Sequence, residues 1–406
     1  MRLLHFVPSV DPHGGGPIEG VRRLRDALSA IGHPGDILCL DSPEAEFVQR
    51  FAGQVTALGP SSGGYHYNPR VVPWLQAHAA DYDAVIVNGL WQYTGLAAWR
   101  ALRHSTTPYF VYTHGMLDPW FKRRYPLKHL KKWLYWPWGE YRVLRDAAAV
   151  IFTCEEERVL ARQSFWLYRA REVVGSYGTS APPMNARALS AGFLAAHPEL
   201  QDRRLLLYLG RIHEKKGGDL LIEAFARVLA ETPNLHLVMA GPGDEGIVGQ
   251  LKARAAQLGI EARITWTGML SGDLKWGAFY ASDVFCLPSH QENFGIAVVE
   301  ALACGKPVLI SDKVNIWREI QQDGAGLVGP DTLEGTVATL RQWLALPRAD
   351  VAAMRIAALR CFQQRFQISQ VAETLIRIVS DHSPGASQFG PLDGARINSG
   401  TLPEGP

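Results

Sequence analysis

Short apolar runs alternate along the chain with longer segments in which apolar residues recur every three or four positions. The runs "RLLHFVPS", "GDILCL", "DAVIVNG", "PYFVYTHG" and "AAAVIFTC" have the length and composition of buried strands. Between the first two runs, "GVRRLRDALSAIGH" places apolar side chains on one helical face, namely Val21, Leu24, Leu28 and Ile31. This alternation predicts β-α-β units and a parallel sheet.

The same alternation restarts after a Gly-, Ser- and Pro-rich break, "GSYGTSAPP", at 175–183. Its strand candidates are "RLLLYLG", "NLHLVMAGPG", "RITWTG", "VFCLPS" and "KPVLIS". We therefore predict an α/β protein with two Rossmann-like, doubly wound domains, 1–176 and 177–365. An amphipathic helix at 366–381 is expected to pack back on the first domain. The Gly/Pro/Ser-rich tail at 382–406 is expected to be disordered.

Composition favours a well-packed globular protein. With 406 residues the chain is too long for one ordinary core, and 47% of it is hydrophobic. The formal net charge is only +2, which argues against nucleic acid as a partner. "MRLLHFVPSV" is interrupted too soon for a signal peptide, and the sequence has no run of about 18 apolar residues. The cysteines lack metal-binding spacing and are expected to be buried thiols in a reducing cytosol: Cys39, Cys154, Cys286, Cys304 and Cys361.

Glycines and charged residues follow several of the predicted strands. In open parallel sheets, ligands bind beyond the carboxyl ends of the strands. "GRIHEKKG" at 210–217 follows one strand, and "DPHGGGP", "THGML" and "PSHQENFG" follow others. The acidic "DYD" at 81–83 has the spacing of a divalent-metal clamp, but it precedes its strand and is expected to lie at the opposite edge. We therefore predict no metal site there.

A pair of glutamates marks the second half of the chain. Glu292 and Glu300 lie in "SHQENFGIAVVEALACGKPVLIS", on either side of the predicted start of a helix. Eight residues advance about 12 Å along a helix, roughly the reach from the sugar ring to the ribose of a nucleotide diphosphate sugar. The amides of Asn293, Phe294 and Gly295 would lie at the positive end of that helix, where a diphosphate is stabilised. The residues alone leave open that Glu300 is a solvated helix residue and Glu292 a loop charge.

These motifs, in this order, resemble a known family. "GRIHEKKG", "GPGDE", "WTG" and "SHQENFGIAVVEALACGKPVLIS" are similar to the second domain of glycosyltransferase family 4, and "DPHGGGPIEGVRRLRDALSAIGH" to its first-domain glycine loop. "GLWQYTGLAAW" and "PYFVYTHGMLDPW" resemble members that build bacterial surface polysaccharides. The resemblance spans about Met1 to Ser380. It implies the GT-B fold, with an acceptor-side first domain facing a nucleotide-sugar-binding second domain across a cleft. It also implies a retaining, metal-independent transferase without a cofactor.

The resemblance assigns the donor diphosphate to basic residues and glycines. Arg211 and Lys216 would neutralise the negative charge that builds on the leaving group, because fixed charges aimed at a developing charge strongly stabilise the transition state. Gly15 and Gly16 would let the backbone approach the phosphates, which a Cβ would obstruct. A tight turn accounts for these two glycines equally well.

Hydroxyl recognition is assigned in the same way. Glu300 is expected to accept hydrogen bonds from the ribose, and Glu292 from a hydroxyl of the transferred sugar. His114, in "THG" at a strand end, matches the family's first-domain histidine near the donor sugar, although a lone histidine is more often structural. The expected donor pocket also contains Met269, after "WTG", and the three residues that precede the helix.

The mechanism by which the anomeric configuration would be retained rests on the family resemblance only. The sequence offers no obvious carboxylate nucleophile of the kind that a retaining hydrolase holds about 5 Å from its acid. The resemblance implies a front-side route, in which the leaving phosphate deprotonates the incoming hydroxyl. One departure concerns Asn88 in "VNGLW", where relatives often carry histidine, and it weakens an acceptor role for that position.

The donor site leaves one stretch unexplained, "WFKRRYPLKHLKKWLYWPWGEYRVLR" at 120–145. It holds eight Lys/Arg residues, one acid (Glu140) and four of the twelve tryptophans. Basic residues interleaved with Trp and Tyr suit an anionic bilayer surface. Two other interpretations stay open: a helix with a solvated basic face and Trp in the core, or a nucleic-acid patch, for which no recognised motif is present. We favour membrane contact, which fits a lipid-linked acceptor.

The sequence together with the family resemblance implies a cytoplasmic enzyme, peripheral on the inner face of the plasma membrane. It would move a hexose from GDP-mannose or a UDP-hexose to a hydroxyl of a lipid-linked glycan, in exopolysaccharide, capsule or O-antigen synthesis. Two alternatives remain: a nucleotide-sugar epimerase on the same architecture, or a nucleotide-sugar-binding subunit that has lost activity. The intact set of Arg211, Lys216, Glu292 and Glu300 argues against the second.

Overall fold

The apolar runs of the sequence become the strands of two parallel sheets. The computed structural model describes residues 1–14, 16–51 and 53–383, which contain one seven-stranded and one six-stranded sheet. The strands of the first sheet are β1 (Leu3–Phe6), β2 (Gly35–Cys39), β3 (Val55–Ala57), β4 (Ala84–Asn88), β5 (Tyr109–Tyr112), β6 (Ala149–Phe152) and β7 (Glu172–Val174). Their order is β3-β2-β1-β4-β5-β6-β7, a doubly wound arrangement.

The second sheet repeats this arrangement. Its strands are β8 (Arg204–Leu209), β9 (Leu235–Ala240), β10 (Ile264–Gly268), β11 (Val284–Leu287), β12 (Val308–Ser311) and β13 (Gly326–Gly329). Their order is β10-β9-β8-β11-β12-β13. Leu206 of β8 pairs in register with Leu237 of β9 on one side and Val284 of β11 on the other. The strand order reverses between β8 and β11, and such a reversal opens a ligand-binding crevice.

Helices connect successive strands. Those before the second sheet are α1 (Gly16–Ala30), α2 (Glu46–Gln49), α3 (Val71–His78), α4 (Tyr93–Leu102), α5 (Trp120–Arg124), α6 (Pro126–Tyr135), α7 (Glu140–Asp146) and α8 (Glu155–Ala161). The later helices are α9 (Ala186–Ala196), α10 (Gly218–Leu229), α11 (Glu245–Gln257), α12 (Gly272–Ala281), α13 (Ile296–Ala303), α14 (Trp317–Asp323), α15 (Leu333–Leu344), α16 (Arg348–Cys361) and α17 (Ile368–His382). Among the described residues, none of the helices combines the length and apolar character needed to cross a bilayer.

The strands that the sequence analysis missed lie at sheet edges. β3, β7 and β13 are absent from the predicted set, and each is the outermost strand of its sheet. Their residues are mostly half-buried, whereas every residue of the central strands β1 and β4 is buried. An edge strand has one neighbour and more solvent contact, so it needs no long apolar run and gives a weak sequence signal.

Helix α17 packs on the first sheet although it follows the second. Its buried side chains Val371, Leu375 and Val379 belong to the same core cluster as Leu3 of β1 and Leu24 of α1. The first sheet is therefore covered on one face by the first and the last described helices of the chain.

The bounds of the C-terminal helix differ from the prediction of 366–381. The helix covers 368–382, and residues 362–366 form a π-helical turn before it. The start is displaced because the chain first crosses back between the sheets: Thr179 donates to the Phe366 carbonyl, and Ile368 donates to the Thr179 carbonyl, each at 3.0 Å. His382 is helical, and the predicted tail from residue 384 onward lies outside the described residues.

The basic stretch at 120–145 folds into α5, α6 and most of α7. Trp136 is fully buried: its ring stacks on Phe165 at 4.2 Å, and its indole N–H donates to the Leu167 carbonyl at 2.5 Å. The expectation that the stretch contacts a bilayer is therefore wrong for Trp136, and the interpretation of a tryptophan in the core holds for it. Trp133 and Trp138 are 42% and 70% exposed.

Leu375→Ala should lower the free energy of unfolding by about 2–5 kcal/mol, because the fully buried side chain leaves a cavity under α17. Glu373→Ala, on the exposed face of the same helix, should change it by less than about 0.5 kcal/mol. Urea unfolding followed by tryptophan fluorescence measures both values. Small and equal effects would contradict the docking of α17 on the first sheet.

Candidate functional site

The loops at the carboxyl ends of the two sheets meet across a cleft. The Gln291 side-chain amide, after β11, donates to the Asp118 carboxylate, after β5, at 3.1 Å. The Lys215 ammonium, after β8, lies 4.2 Å from the centre of the Trp120 ring on α5. These contacts bring the sequence motifs "GRIHEKKG", "PSHQENFG" and "THGML" together at one place.

The turn from β8 into α10 depends on a glycine. Gly217 has a φ of +66°, and a Cβ on it would lie 2.0 Å from the Pro288 carbonyl oxygen. A side chain at this position would clash with that oxygen and push the turn away from the residues that follow β11. The close approach brings Lys216 next to the loop that carries Glu292.

Lys216 and Glu292 form an ion pair at the centre of the cleft. Their side chains are only 19% and 16% exposed. Burial and the nearby charges of Arg211 and Lys215 lower the pKa of Lys216 to about 8. The contact with Glu292 opposes this shift, because a neighbouring carboxylate favours the charged form. The ammonium is therefore protonated at neutral pH.

Backbone hydrogen bonds hold Glu292 in place, whereas the Arg211 side chain is exposed and unpaired among the described residues. The Glu292 N–H donates to the Lys313 carbonyl at 2.9 Å, and its carbonyl accepts from the Asn315 N–H at 3.0 Å. Arg211 is exposed, and its guanidinium has no hydrogen-bond or ion-pair partner among the described residues. The cleft thus combines one cation–carboxylate pair with one cation that is unpaired among the described residues.

Helix α13 begins beside this ion pair. Gly295 precedes it with a φ of +76°, and the amides of Asn293, Phe294 and Gly295 have no acceptor among the described residues. The Phe294 ring is buried between Tyr177 and Phe366, with centroids at 5.2 and 5.6 Å. The aromatic ring anchors the turn, so the N–H groups and the positive end of the helix are what a ligand can use.

Glu300 is buried and paired with a lysine that the sequence analysis did not identify. Its carboxylate lies 2.8 Å from the ammonium of Lys275 on α12, and its side chain is 6% exposed. It is therefore not a solvated helix residue. The predicted separation of about 12 Å from Glu292 assumed that all eight intervening steps are helical. This assumption is wrong, because α13 starts at Ile296 and only the second half of the interval is helical.

A cavity of about 400 Å³ lies at the carboxyl ends of β8, β9 and β10. Ile212, Pro242, Gly243, Val248 and Trp266 contribute to its wall. Its wall is largely apolar, as is usual for small-molecule pockets. Met269 is 74% exposed and does not line this cavity.

His114 lies on the first-domain side of the cleft. It has a φ of +47°, and its Nε2 is 3.2 Å from the Asn88 side-chain oxygen at the end of β4. Its ring stacks on Tyr112 at 5.4 Å and meets Tyr177 edge-on at 5.7 Å. Burial lowers the pKa of His114 to about 4, so the imidazole is neutral at physiological pH. Asn88, noted in the sequence only as a departure from the family, orients this ring.

A buried carboxylate organises the loop that carries His114. Glu157 accepts hydrogen bonds from the Gly115 N–H at 2.6 Å and from the Thr153 N–H at 2.7 Å. A Cβ on Gly115 would lie 2.5 Å from Cγ of Asn293, which itself donates to Thr153 at 3.3 Å. The two domains therefore approach so closely here that only glycine fits. In the sequence, Glu157 is one of three consecutive glutamates, and nothing in the pattern separates it from the other two.

The remaining predicted positions are the two glycines of the first-domain loop and the acidic "DYD" motif. Gly16 is the first residue of α1, and Gly15 lies outside the described residues. Asp83 immediately precedes β4 and accepts from the Arg2 N–H at 2.6 Å, at the edge opposite the cleft. Among the described residues, no group of three or more His, Cys, Asp or Glu is arranged to hold a metal ion. Metal independence stays a prediction.

Two family models match the chain, one in each half. The glycosyl transferase 4-like domain matches residues 15–178, and the glycosyl transferases group 1 model matches residues 193–358.

Curated relatives match mainly over one half of the chain. A phosphatidyl-myo-inositol mannosyltransferase of Mycobacterium leprae is 35% identical over 213 residues, 51% of this chain and 54% of that protein. A D-inositol 3-phosphate glycosyltransferase of Geodermatophilus obscurus is 39% identical over 206 residues, 46% of this chain and 42% of that protein. The matched part thus spans about half the length of these relatives.

Solved structures resemble the whole chain at low identity. The sucrose-phosphate synthase of Thermosynechococcus elongatus has a TM-score of 0.71 at 21% identity, covering 93% of this chain and 98% of that one. The HepE protein of Anabaena, in complex with UDP and glucose, has a TM-score of 0.70 at 18% identity, covering 94% and 99%. With both halves matched by family models, the chain belongs to the group 1 glycosyltransferases with a glycosyltransferase 4-like N-terminal domain, and it has the GT-B fold.

Proposed function

We propose that this protein is a retaining, metal-independent hexosyltransferase that uses a nucleotide diphosphate sugar as donor and a hydroxyl of a lipid-linked glycan as acceptor. The observation that carries the proposal is the contact between Lys216 and Glu292 beside the start of α13. A cation for phosphate, a carboxylate for hydroxyls and free backbone amides lie next to each other there. This set suits a sugar joined to a diphosphate.

The donor is expected to lie along the carboxyl edge of the second sheet. Its base would occupy the cavity near Trp266, and its ribose would reach the Glu300 carboxylate next to Lys275. The diphosphate would meet the α13 amides, Lys216 and the exposed Arg211, and the hexose would then face Glu292. GDP-mannose and UDP-hexoses both have the required parts.

The chemical step generates negative charge on the leaving diphosphate. Lys216 and Arg211 stabilise that charge because they are cations already held in, or next to, the water-poor cleft. As the glycosidic bond to the phosphate breaks, a phosphate oxygen accepts the proton of the incoming hydroxyl, and the new glycosidic bond forms on the same face. No enzyme carboxylate is needed as a nucleophile on this route.

His114 would act as a neutral hydrogen-bonding group. When its Nε2–H donates to Asn88, Nδ1 keeps a lone pair that accepts from a sugar hydroxyl. Its low pKa suits this role, because a charged imidazolium would have no lone pair to offer.

The names of relatives and neighbours support a nucleotide-sugar donor and a lipid-bound acceptor. HepE was solved with UDP-glucose as well as with UDP and glucose. One curated relative is a mannosyltransferase of a phosphatidylinositol lipid, and another structural neighbour is described as taking part in lipopolysaccharide biosynthesis. These names support the proposal that this chain takes part in bacterial surface-polysaccharide synthesis.

An exposed apolar face supports contact with a membrane. On α6, Leu127, Leu130 and Leu134 are 83%, 55% and 62% exposed, at helical spacing. The exposed Lys128 and Lys131 lie on the same helix. An apolar face flanked by lysines suits an anionic bilayer surface. The protein would then work at the inner face of the plasma membrane, where a lipid-linked acceptor is anchored.

Part of the basic stretch is used within the protein instead. Arg124 pairs with Glu214 across the cleft at 3.2 Å, and the Lys132 ammonium lies 4.4 Å from the centre of the Trp91 ring. The membrane-facing set is therefore narrower than 120–145: it comprises the exposed face of α6 with Trp133 and Trp138.

Lys216→Ala should lower kcat by roughly 100-fold or more, since it removes a charge directed at the leaving group. Transfer from UDP-, GDP-, ADP- and TDP-hexoses in the presence of EDTA, with product anomers assigned by NMR, identifies the donor and tests retention. Lys216→Arg is the matched control. In wild type, kcat/KM should fall at alkaline pH, above about 8, where the ammonium loses its proton, and the arginine variant should lack this fall. A near-normal kcat for the alanine variant, inversion, dependence on metal or turnover without an acceptor would contradict the proposal.

Glu300→Gln should weaken binding of the free nucleotide and of the sugar nucleotide by about tenfold or more, because a hydrogen bond from the ribose to a charged carboxylate is lost. Glu292→Gln should weaken only the sugar nucleotide. Lys275→Gln breaks the same ion pair as Glu300→Gln but keeps the carboxylate, so it should bind the free nucleotide more tightly than Glu300→Gln does. Calorimetric titration measures all three. Equal losses on both ligands for the Glu292 and Glu300 variants would contradict the division of roles.

Lys128→Glu/Lys131→Glu should reduce binding to phosphatidylserine-containing vesicles at low salt by at least about tenfold, because each basic residue contributes about 1 kcal/mol near such a surface. Leu130→Ser/Leu134→Ser should reduce the part of binding that persists at high salt. Arg187→Glu/Arg360→Glu, which reverses two exposed charges on the other domain, is the matched control. Vesicle cosedimentation that ranks all three doubles equally would contradict a role for α6.

A further inference from the structure

The amino edge of the second sheet carries a basic cavity that plays no part in the proposed reaction. It has a volume of about 710 Å³ and lies where β8, β9 and β11 begin, at the edge opposite the donor cleft. Its wall contains four arginines and two aspartates among the described residues: Arg203, Arg204, Arg348, Arg355, Asp202 and Asp283. We call it the rear cavity.

Positive charge in the rear cavity is poorly compensated. Asp283 pairs with Arg355 at 3.5 Å, but its other oxygen already accepts from the Leu205 N–H at 2.9 Å. Within residues 53–383, Arg203, Arg204 and Arg348 have no carboxylate at ion-pair distance. Three guanidinium groups therefore line one concave surface without a direct ion pair, and four arginines outnumber the two aspartates of the same wall.

The guanidinium of Arg204 is held in position by an aromatic ring. It lies 4.0 Å from the centre of the Trp343 ring, which is fully buried. Stacking fixes the plane of the guanidinium and leaves its N–H edge for a ligand. Nε of Arg355 is also buried and has no acceptor among the described residues.

Helix α16 adds its positive end to the same place. Arg348 is its first residue, and Arg355, two turns later, lies on the same face, so both line the rear cavity. The helix has 14 residues, long enough for the partial positive charge at its start to attract an anion. Helix end and side chains thus favour the same kind of ligand.

We infer that the rear cavity binds a small phosphate-bearing molecule. Planar guanidinium groups match the oxygens of a phosphate in pairs, and the volume is that of a pocket for a metabolite rather than for a single ion. The site is separate from the donor site, because the two lie at opposite edges of one sheet.

Inorganic pyrophosphate tests the inference, because it can bind at both edges of the sheet. Calorimetric titration of wild type should give two sites. The titration is done at about 0.15 M salt, because salt at this concentration screens non-specific attraction to surface charges. Arg203→Gln/Arg348→Gln, at two exposed positions that should not disturb folding, should weaken one site by about tenfold or more. Arg360→Gln, an exposed position on the same helix but outside the cavity, is the matched control and should keep both sites.

Lys216→Ala separates the two edges. It should weaken the donor-side site and leave the rear site unchanged. A single wild-type site that disappears in Lys216→Ala would overturn the rear-cavity inference while supporting the donor site. Two sites that both survive Arg203→Gln/Arg348→Gln would overturn it as well. Loss of only the rear site in that double variant supports the rear-cavity inference, whether or not the proposed transferase activity is found.

Discussion

In a parallel sheet every strand delivers the chain to a loop at the same edge. Both sheets of this protein obey that constraint, and their carboxyl edges face one another. Residues as distant in sequence as His114, Lys216 and Glu292 therefore reach one cleft without any local sequence relation. The amino edges face away, which is why Asp83 and the rear cavity lie apart from the cleft. The sorting of polar groups between two edges follows from strand direction alone.

Two pairs of opposite charge in the cleft join residues of different elements. Lys216 with Glu292 and Lys275 with Glu300 are each largely shielded from water. Removing one member of a shielded pair leaves an uncompensated charge, and this is more costly than losing an exposed one. A ligand that brings both an anion and hydroxyls can satisfy a lysine and a glutamate at once. A ligand with only one of these groups leaves the other residue without a replacement partner. Such pairing favours a molecule with both chemistries.

The sequence allowed the central strands, the cleft motifs and the position of "DYD" to be inferred, because each depends on local pattern and strand order. It did not reveal Lys275, since α12 and α13 become neighbours only in the folded second domain. The same holds for Glu157, which no pattern distinguishes among three successive glutamates. The rear cavity combines residues from 202–204, 234, 283 and 346–355, so the sequence does not show that their charges lie together. Contacts between distant segments are decided by packing, and a single sequence carries little information about them.

The two crossings between the domains are themselves hydrogen-bonded to each other, through Thr179, Phe366 and Ile368. A protein joined by one linker can twist its domains in any direction, whereas two adjacent linkers restrict the motion to rotation about the line they share. Any opening of the cleft should then be a hinge rotation about the line through the two crossings. The same connection affects biosynthesis, because the first domain lacks part of its core until α17 has been made. During translation, the first domain can therefore complete its fold only after the second domain and α17 have been synthesised.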